Sequence, residues 1–239
     1  MSNTIQFYQD SIHPCSYIDG HQARNIYPDP HQLMTNLLYS HLIQQGFRRS
    51  SDLAYRPYCP TCQACIPVRI NIKNFQPNRS QRRCLSNNKE ISLSLHANEF
   101  NDQHFQLYGR YLANRHIGGG MDDPTKQSYI NFLTSSWSET QLIEFKYHDK
   151  LVAVAVTDFI ADGLSAFYTF FDPDLPKQSL GTFAILQQIE LAKKHGFSQL
   201  YLGYWIKNCQ KMQYKQNFSG VEAYVNQHWQ PINTLKNFE

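Results

Sequence analysis

The chain has 239 residues, room for one large domain or two closely packed small ones. Hydrophobic residues make up 41%, enough for a core, and the net charge is only +3, so any contact with nucleic acid must come from local patches. No run approaches the roughly 20 apolar residues of a membrane span, and Met1 to Asp10 lacks the basic start and apolar stretch of a signal peptide. A cytoplasmic address is therefore expected, with the six cysteines reduced.

In chain order, Tyr27-Pro28-Asp29-Pro30 breaks the chain. Behind it Met34, Leu37, Leu38 and Leu42 fall at helical spacing, and Gly46 is placed to end that helix. Phe47 to Tyr58 and Cys65 to Ile72 read as extended, and the polar, basic run Pro77 to Lys89 is expected to cross the surface between two halves. Ile91 to His96 alternates like a strand. Glu99 to His116 reads as a helix with Phe100, Leu107, Tyr108 and Tyr111 on one face, ended by Gly118-Gly119-Gly120. Pro124 to Leu133 suits a short helix.

The second half is more regular. Gln141 to Tyr147, Leu151 to Phe159 and Leu164 to Phe171 read as strands, the middle one apolar enough to be buried on both faces. Ser179 to His195 reads as a helix with Ile185, Leu186, Ile189 and Ala192 inward and Gly196 behind it. Gln199 to Tyr204 is a fourth strand, Lys207 to Lys215 a short basic helix or turn, and Val221 to Val225 a closing strand. This order predicts an α/β (α+β) fold, a mixed sheet flanked by helices. It matches the core of acetyltransferase-like folds and carries a smaller N-terminal subdomain, with the division expected at 1–90 and 91–239.

Five segments carry possible chemistry. Ser179-Leu180-Gly181-Thr182 opens a helix, where free N–H groups and the dipole favour an anion; Ser179 as a plain N-cap is the bland reading. Coenzyme A is disfavoured there, because Phe183 stands where a small residue is wanted. Arg48, Arg49, Arg56 and Arg69 lie in a short, largely uncharged stretch and offer planar forks for carboxylates or phosphates, or else structural ion pairs. Cys59-Pro60-Thr61-Cys62-Gln63-Ala64-Cys65 holds two overlapping C-x-x-C spacings that fit soft-metal ligation with Cys15 as a fourth ligand; a turn with half-buried thiols is the alternative. Arg79, Arg82, Arg83 and Lys89 form a basic patch suited to RNA phosphates or to a solvated linker. Finally, Asp172 and Asp174 follow a strand end after Tyr168, in a place where catalytic groups occur and where Asp-Pro also makes ordinary turns. No Ser/His/Asp or Cys/His arrangement proposes a covalent enzyme intermediate.

These motifs together resemble the bacterial aspartate/glutamate leucyltransferases, relatives of the eukaryotic arginyl-tRNA–protein transferases. The resemblance runs from about Cys15 to Gln230. It rests on Cys15-Ser16-Tyr17, the run Gly46 to Pro57, the run Cys59 to Arg69, Phe171-Asp172-Pro173-Asp174, Ser179 to Phe183, and the run Tyr201 to Lys215.

It implies that the α-amine of a protein beginning with Asp or Glu attacks the ester of aminoacyl-tRNA, here Leu-tRNA. The product carries a destabilising N-terminus for degradation, the N-degron pathway. Because the ester is already activated, positioning, a proton acceptor and oxyanion stabilisation suffice. The acceptor of the proton is expected at Asp172 or Asp174, with Tyr168 in reserve. The acidic N-terminus is expected on Arg48, Arg49, Arg56 or Arg69, with Arg49 and Arg69 the narrower choice. The tRNA is expected on Arg79, Arg82 and Arg83, with Ser179, Gly181, Lys211 and Lys215 near its acceptor end. Eukaryotic relatives link the cysteine region to metal or iron–sulfur binding, but their opening Cys-x-x-Cys is broken here at Ser16-Tyr17-Ile18. The reaction itself requires no cofactor, and a metal at Cys15, Cys59, Cys62 and Cys65 stays open. An arginine-transferring homologue and a non-catalytic tRNA- or degron-binding adaptor are the competing readings.

Overall fold

A computed structural model describes residues 5–115 and 123–235. The N-terminal part opens with short strands β1 (Phe7–Gln9), β2 (His13–Pro14), β3 (Gln22–Ala23) and β4 (Asn25–Pro28), which the residue pattern had not suggested. Helix α1 (Asn36–Gln44) starts on Thr35, whose side chain caps Leu38 N–H. It ends at Gly46, with Gly46 N–H on Ile43 O and Phe47 N–H on Leu42 O, the Schellman pattern. A tight hairpin follows, β5 (Arg48–Ser50) and β6 (Leu53–Pro57). It joins β4 and β1 in a four-stranded sheet.

Strand β7 (Ile66–Asn71) leaves this part and enters a larger sheet. Next come α2 (Arg79–Asn87), β8 (Ile91–Ala97), α3 (Asp102–Arg115), α4 (Lys126–Leu133), β9 (Glu139–Tyr147), β10 (Lys150–Ile160) and β11 (Gly163–Phe171). The chain closes with α5 (Leu180–Lys194), β12 (Gln199–Trp205), β13 (Val221–Val225) and β14 (His228–Pro231). The expected helix end at Gly118–Gly120 lies outside the described residues. Strand β14 also went unread; Asn226 and Gln227, both at positive φ, make the two-residue turn that returns it onto β13.

The large sheet has eight strands in the order β14-β13-β7-β12-β11-β10-β9-β8. Every pairing in it is antiparallel except β11 with β12. It is a mixed sheet flanked by helices, as expected. The expected division at residue 90 falls between α2 and β8, and β7, from the first part, lies between β12 and β13 of this sheet. Strand β10 is buried on both faces, as its apolar run foretold. Ala153 and Ala155 join a core formed with α5, whereas Val154 and Val156 join another with Leu107, Tyr108, Leu112, Tyr129 and Leu133 of α3 and α4. A third core, with Tyr39, Leu42, Ile43 and Phe47, meets the sheet at Ile160 and Tyr201.

The run Pro77 to Lys89 is not a plain linker. Asn78 and Gln81 form a reciprocal capping box that starts α2. Cys84 is buried, and Asn88 donates to Gln178 O at 2.7 Å, so α2 is fastened beside the start of α5. Ser179 also departs from the cap reading. It sits at φ 51°, in the left-handed region, and its side chain makes no cap bond.

Behind the sheet, Glu144 on β9 accepts from His104 of α3 at 2.7 Å and from Lys146 at 2.8 Å, with His96 at 3.4 Å. Burial pushes the Glu144 carboxyl up, but hydrogen bonds from Lys146 and His104 outweigh it and the net direction is down. Burial lowers His104 and wins over the pull of Glu144. A group held below its unfolded value stabilises above that value and loses the contribution as pH falls through the folded one. Both groups therefore weaken the fold in acid, His104 from its ordinary 6.5 downward and Glu144 from 4.5 downward. Melting temperature measured from pH 8 to pH 4 is expected to fall below about pH 6.5. In His104→Gln the first part of that decline is expected to flatten.

Candidate active site

The one parallel pair in the large sheet is short. Strands β11 and β12 pair only at Gly163–Gln199, Leu164–Leu200 and Ser165–Tyr201. The close start requires glycine, since a Cβ on Gly163 would lie 2.1 Å from Gln199 O. Beyond Ser165 and Tyr201 the two strands part. Strand β12 bulges against β7 between Tyr201 and Gly203, and Gly203 takes φ +81°. A bulge of this kind re-aims the chain beside a site.

Arg48 enters at the point of parting. Its Nη1 donates to Ser165 Oγ and its Nη2 to the Ala166 carbonyl, both at 3.0 Å. A Cβ on Gly203 would crowd the guanidinium at 3.2 Å from Nε, so glycine at 203 makes the space that arginine fills. Lys215 reaches the same place from the turn after β12 and donates to the Tyr204 carbonyl. Both cations are 7% exposed. Among the described residues, no carboxylate lies within ion-pair distance of either. Burial first, and then the charge of Arg48, press the Lys215 ammonium down to about 7. Tyr39, Tyr55, Tyr204 and Tyr214 stand within electrostatic reach of Arg48. A buried charge is normally paired, so two adjacent cations with neutral neighbours make a ready anion site.

The other arginines are already engaged. Arg49 grips Asp158 with Nε at 2.9 Å and Nη2 at 2.7 Å, both side chains fully buried. Its remaining donors meet Leu133 O, Thr140 Oγ1 and Ser51 O, and its plane lies 3.8 Å over Phe167. Arg69 pairs Glu222 at 2.8 Å and lies 4.2 Å over Trp229. Of the narrower choice for acid recognition, Arg49 and Arg69, each already holds a carboxylate of the chain in this structure. Arg56 donates to Gln45 O and lines a small surface cleft of about 170 Å³ with Gln63, Cys65, Pro67 and Tyr224. Of the four, Arg48 alone is buried and has no carboxylate within ion-pair distance among the described residues.

Asp172 and Asp174 lie elsewhere. Asp172 follows the far end of β11, six residues beyond Ala166, about 20 Å at the usual rise. Its side chain is fully buried and held by Arg110 and by Lys150 at 3.3 Å, while it accepts Asp174 N–H. Arg110 also binds Asp174 at 2.9 Å. These carboxylates are thus held in the turn that follows β11, at the opposite end of the strand from Arg48. Tyr168 lies in an aromatic cluster with Tyr108, Tyr111 and Phe132, and burial raises its phenol further from titration. Gly181 allows α5 to pack on Phe171, where a Cβ would come within 3.2 Å of the ring.

Of the residues expected on tRNA, Arg79, Arg82 and Arg83 are exposed on α2, and Lys211 is exposed too. Lys215, expected beside them, is buried next to Arg48. No single-sequence signal separates those two lysines, since the turn that carries them has no periodicity. Cys15, Cys59, Cys62 and Cys65 are free, half-buried thiols. Burial, with the neighbouring thiols of Cys59, Cys15, Cys62 and Cys209, pushes Cys65 up to about 12. Among the described residues no group of three His, Cys, Asp or Glu side chains is arranged to bind a metal ion.

The arginines separate experimentally by stability. Arg49→Gln strands a buried carboxylate and is expected to cost roughly 3–5 kcal/mol of unfolding free energy. Arg48→Gln strands none and is expected to change denaturant midpoints far less.

Two family profiles match the chain in succession. "Arginine-tRNA-protein transferase, N terminus" covers residues 13–83 and "Arginine-tRNA-protein transferase, C terminus" covers residues 103–225. An aspartate/glutamate leucyltransferase of Saccharophagus degradans is 44% identical over 95% of this chain and 97% of its own. One from Nitrosococcus oceani is 48% identical over 94% and 95%. Among solved structures, L-PGS from Bacillus licheniformis aligns with 10% identity over 61% of this chain and 46% of that one, at a TM-score of 0.47. The two adjoining profiles and the near full-length identity place the chain in the arginine-tRNA-protein transferase family, alongside bacterial aspartate/glutamate leucyltransferases.

Proposed function

We propose that this enzyme transfers leucine from Leu-tRNA to the α-amine of cytoplasmic proteins that begin with Asp or Glu, marking them for degradation, and that Arg48 selects the acidic residue. The observation that carries this reading is the buried Arg48 guanidinium with no carboxylate of its own. An arriving Asp or Glu side chain supplies the missing charge in a site with little water, where charge-assisted hydrogen bonds are strong. Arginine suits the task better than lysine, since its fork orients the carboxylate and cannot itself be acylated.

The fold supports an acetyltransferase-like use of the sheet. Strands β9, β10 and β11, then α5, then β12 follow the expected order, and the acyl donor would enter where β11 and β12 part. The ester of aminoacyl-tRNA is already activated, so the site needs to align amine and carbonyl and to stabilise the developing oxyanion. The exposed arginines of α2, fastened beside the start of α5, are suited to the tRNA backbone.

The central experiment offers wild type and Arg48→Gln enzyme Leu-tRNA or Arg-tRNA, with peptides that begin with Asp, Glu or Asn. Wild type is expected to transfer leucine to Asp and Glu peptides and to give no arginine product. Arg48→Gln is expected to lose about tenfold to more than a hundredfold on acidic peptides, the value of a charged hydrogen bond, while tRNA affinity is kept. Arginine transfer without leucine transfer would refute the donor assignment, and an unchanged preference for Asp over Asn would refute the role of Arg48. Separately, Arg82→Ala and Arg83→Ala are each expected to lower the salt slope of tRNA binding by about one, measured as affinity against ionic strength.

A further inference from the structure

We infer that Lys215 is the group that takes the proton from the incoming α-ammonium, acting beside the carboxylate held by Arg48; this rests on the preceding assignment of Arg48. An amine attacks an ester only through its lone pair, yet a protein α-amine is half or more protonated near pH 7. The site must therefore hold a neutral base within reach of that nitrogen. The carboxylates first considered, Asp172 and Asp174, stand at the other end of β11 and are bound by Arg110 and Lys150.

Lys215 has the required surroundings. Its ammonium meets the Tyr204 carbonyl from β12, the Tyr214 ring at 5.9 Å from its own turn, the charge of Arg48 from β5, and the Cys209 thiol from the loop after β12. Of these, Arg48 opposes its charge, the Tyr204 carbonyl, the Tyr214 ring and Cys209 favour it, and among the described residues no carboxylate balances it. Desolvation and Arg48 bring its titration to about 7, with Cys209 pulling the other way, which matches it to an α-amine. Tyr214, whose ring centroid lies 5.9 Å from the Lys215 Nζ, is 42% exposed to solvent.

The step balances. The α-ammonium gives one proton to the neutral Lys215 amine, and the freed lone pair forms the C–N bond to the ester carbonyl carbon. As the tetrahedral adduct collapses, the C–O bond to the ribose breaks. The second N–H proton passes to the departing ribose oxygen, tRNA leaves with a free hydroxyl, and Lys215 returns its proton to solvent. Acid selection and base strength are coupled in this arrangement. A substrate carboxylate on Arg48 offsets the charge that depresses Lys215, so the lysine becomes more basic only when an acidic residue is bound.

The test is single-turnover leucylation of an Asp-starting peptide at saturating Leu-tRNA, read as modified peptide. Lys215→Ala and the similarly long Lys215→Met are each expected to slow transfer by about 100- to 10,000-fold, while the residual activity keeps its preference for Asp over Asn. Added propylamine is expected to restore Lys215→Ala in proportion to its free-base fraction, and to leave Lys215→Met unrestored, because the methionine fills the space. Rates within a few-fold of wild type in either variant would overturn the assignment. So would loss of the Asp preference without amine rescue, which would make Lys215 part of the carboxylate subsite. A variant-free measurement covers misfolding: at sub-saturating peptide, where the profile reports the free enzyme, the acid limb of the wild-type pH–rate profile should stay near 7 when the peptide amine is made less basic by a neighbouring electron-withdrawing group. A limb that follows the peptide amine would remove the lysine from the step. Arg48→Gln reads the acid pocket on peptide preference alone, so its failure and that of Lys215 are distinguishable.

Discussion

A guanidinium buried without a carboxylate is the constraint around which this chain is arranged. Leaving a charge under the surface costs several kcal/mol, in a protein whose total stability is expected to be roughly 5–15 kcal/mol. The cost is tolerated because Ser165 Oγ and the Ala166 carbonyl accept from Arg48, and because Gly203 leaves room beside it. Those three residues stand on β11 and β12 at the point where the parallel pairing ends. The end of the parallel pairing and the charge beside it are therefore one feature: close pairing up to Ser165 and Tyr201 holds the acceptors next to Arg48.

The adjoining arginine shows the opposite solution. Arg48 and Arg49 are consecutive on β5, so their side chains leave opposite faces of the strand. One reaches the opening between β11 and β12, and the other reaches Asp158 on β10 in a bidentate pair. Arg49 thus ties the small N-terminal sheet to the large one and fixes β5, which in turn fixes where Arg48 points. Removing the anchor would disturb both stability and the placement of Arg48, whereas removing Arg48 strands no buried carboxylate among the described residues. Strand β7, between β12 and β13, makes a second tie between the parts of the chain.

Catalysis by this arrangement needs little chemistry from the protein. The donor ester carries the energy of peptide-bond formation, and the acceptor needs orientation and the loss of one proton. Two buried cations of unlike character divide those tasks. In the proposed mechanism Arg48 takes the substrate carboxylate, while Lys215, driven toward neutrality by burial and by Arg48, takes the proton. The arginines of α2 are exposed and are suited to the tRNA backbone in the same proposal.

Local pattern in the sequence determined the helices and most strands. The apolar run of β10, the period of α5 and the stop at Gly46 each follow from side-chain spacing, and the density of motifs determined the family. Segments with little apolar periodicity were harder to read. The short strands β1 to β4 and β14 depend on pairing with distant strands, and α2 is held by a capping box and by contacts to α5 that spacing alone does not reveal. At the site, the sequence offered four arginines as candidates for acid binding, and the tertiary structure tells them apart by the partners each one has. Whether an arginine is free depends on whether a carboxylate such as Asp158 or Glu222 comes to lie beside it, 109 and 153 residues away along the chain. Likewise Lys211 and Lys215 are indistinguishable as letters. Burial beside Arg48, a consequence of how the turn after β12 packs, is what gives one of them an amine that titrates near neutrality.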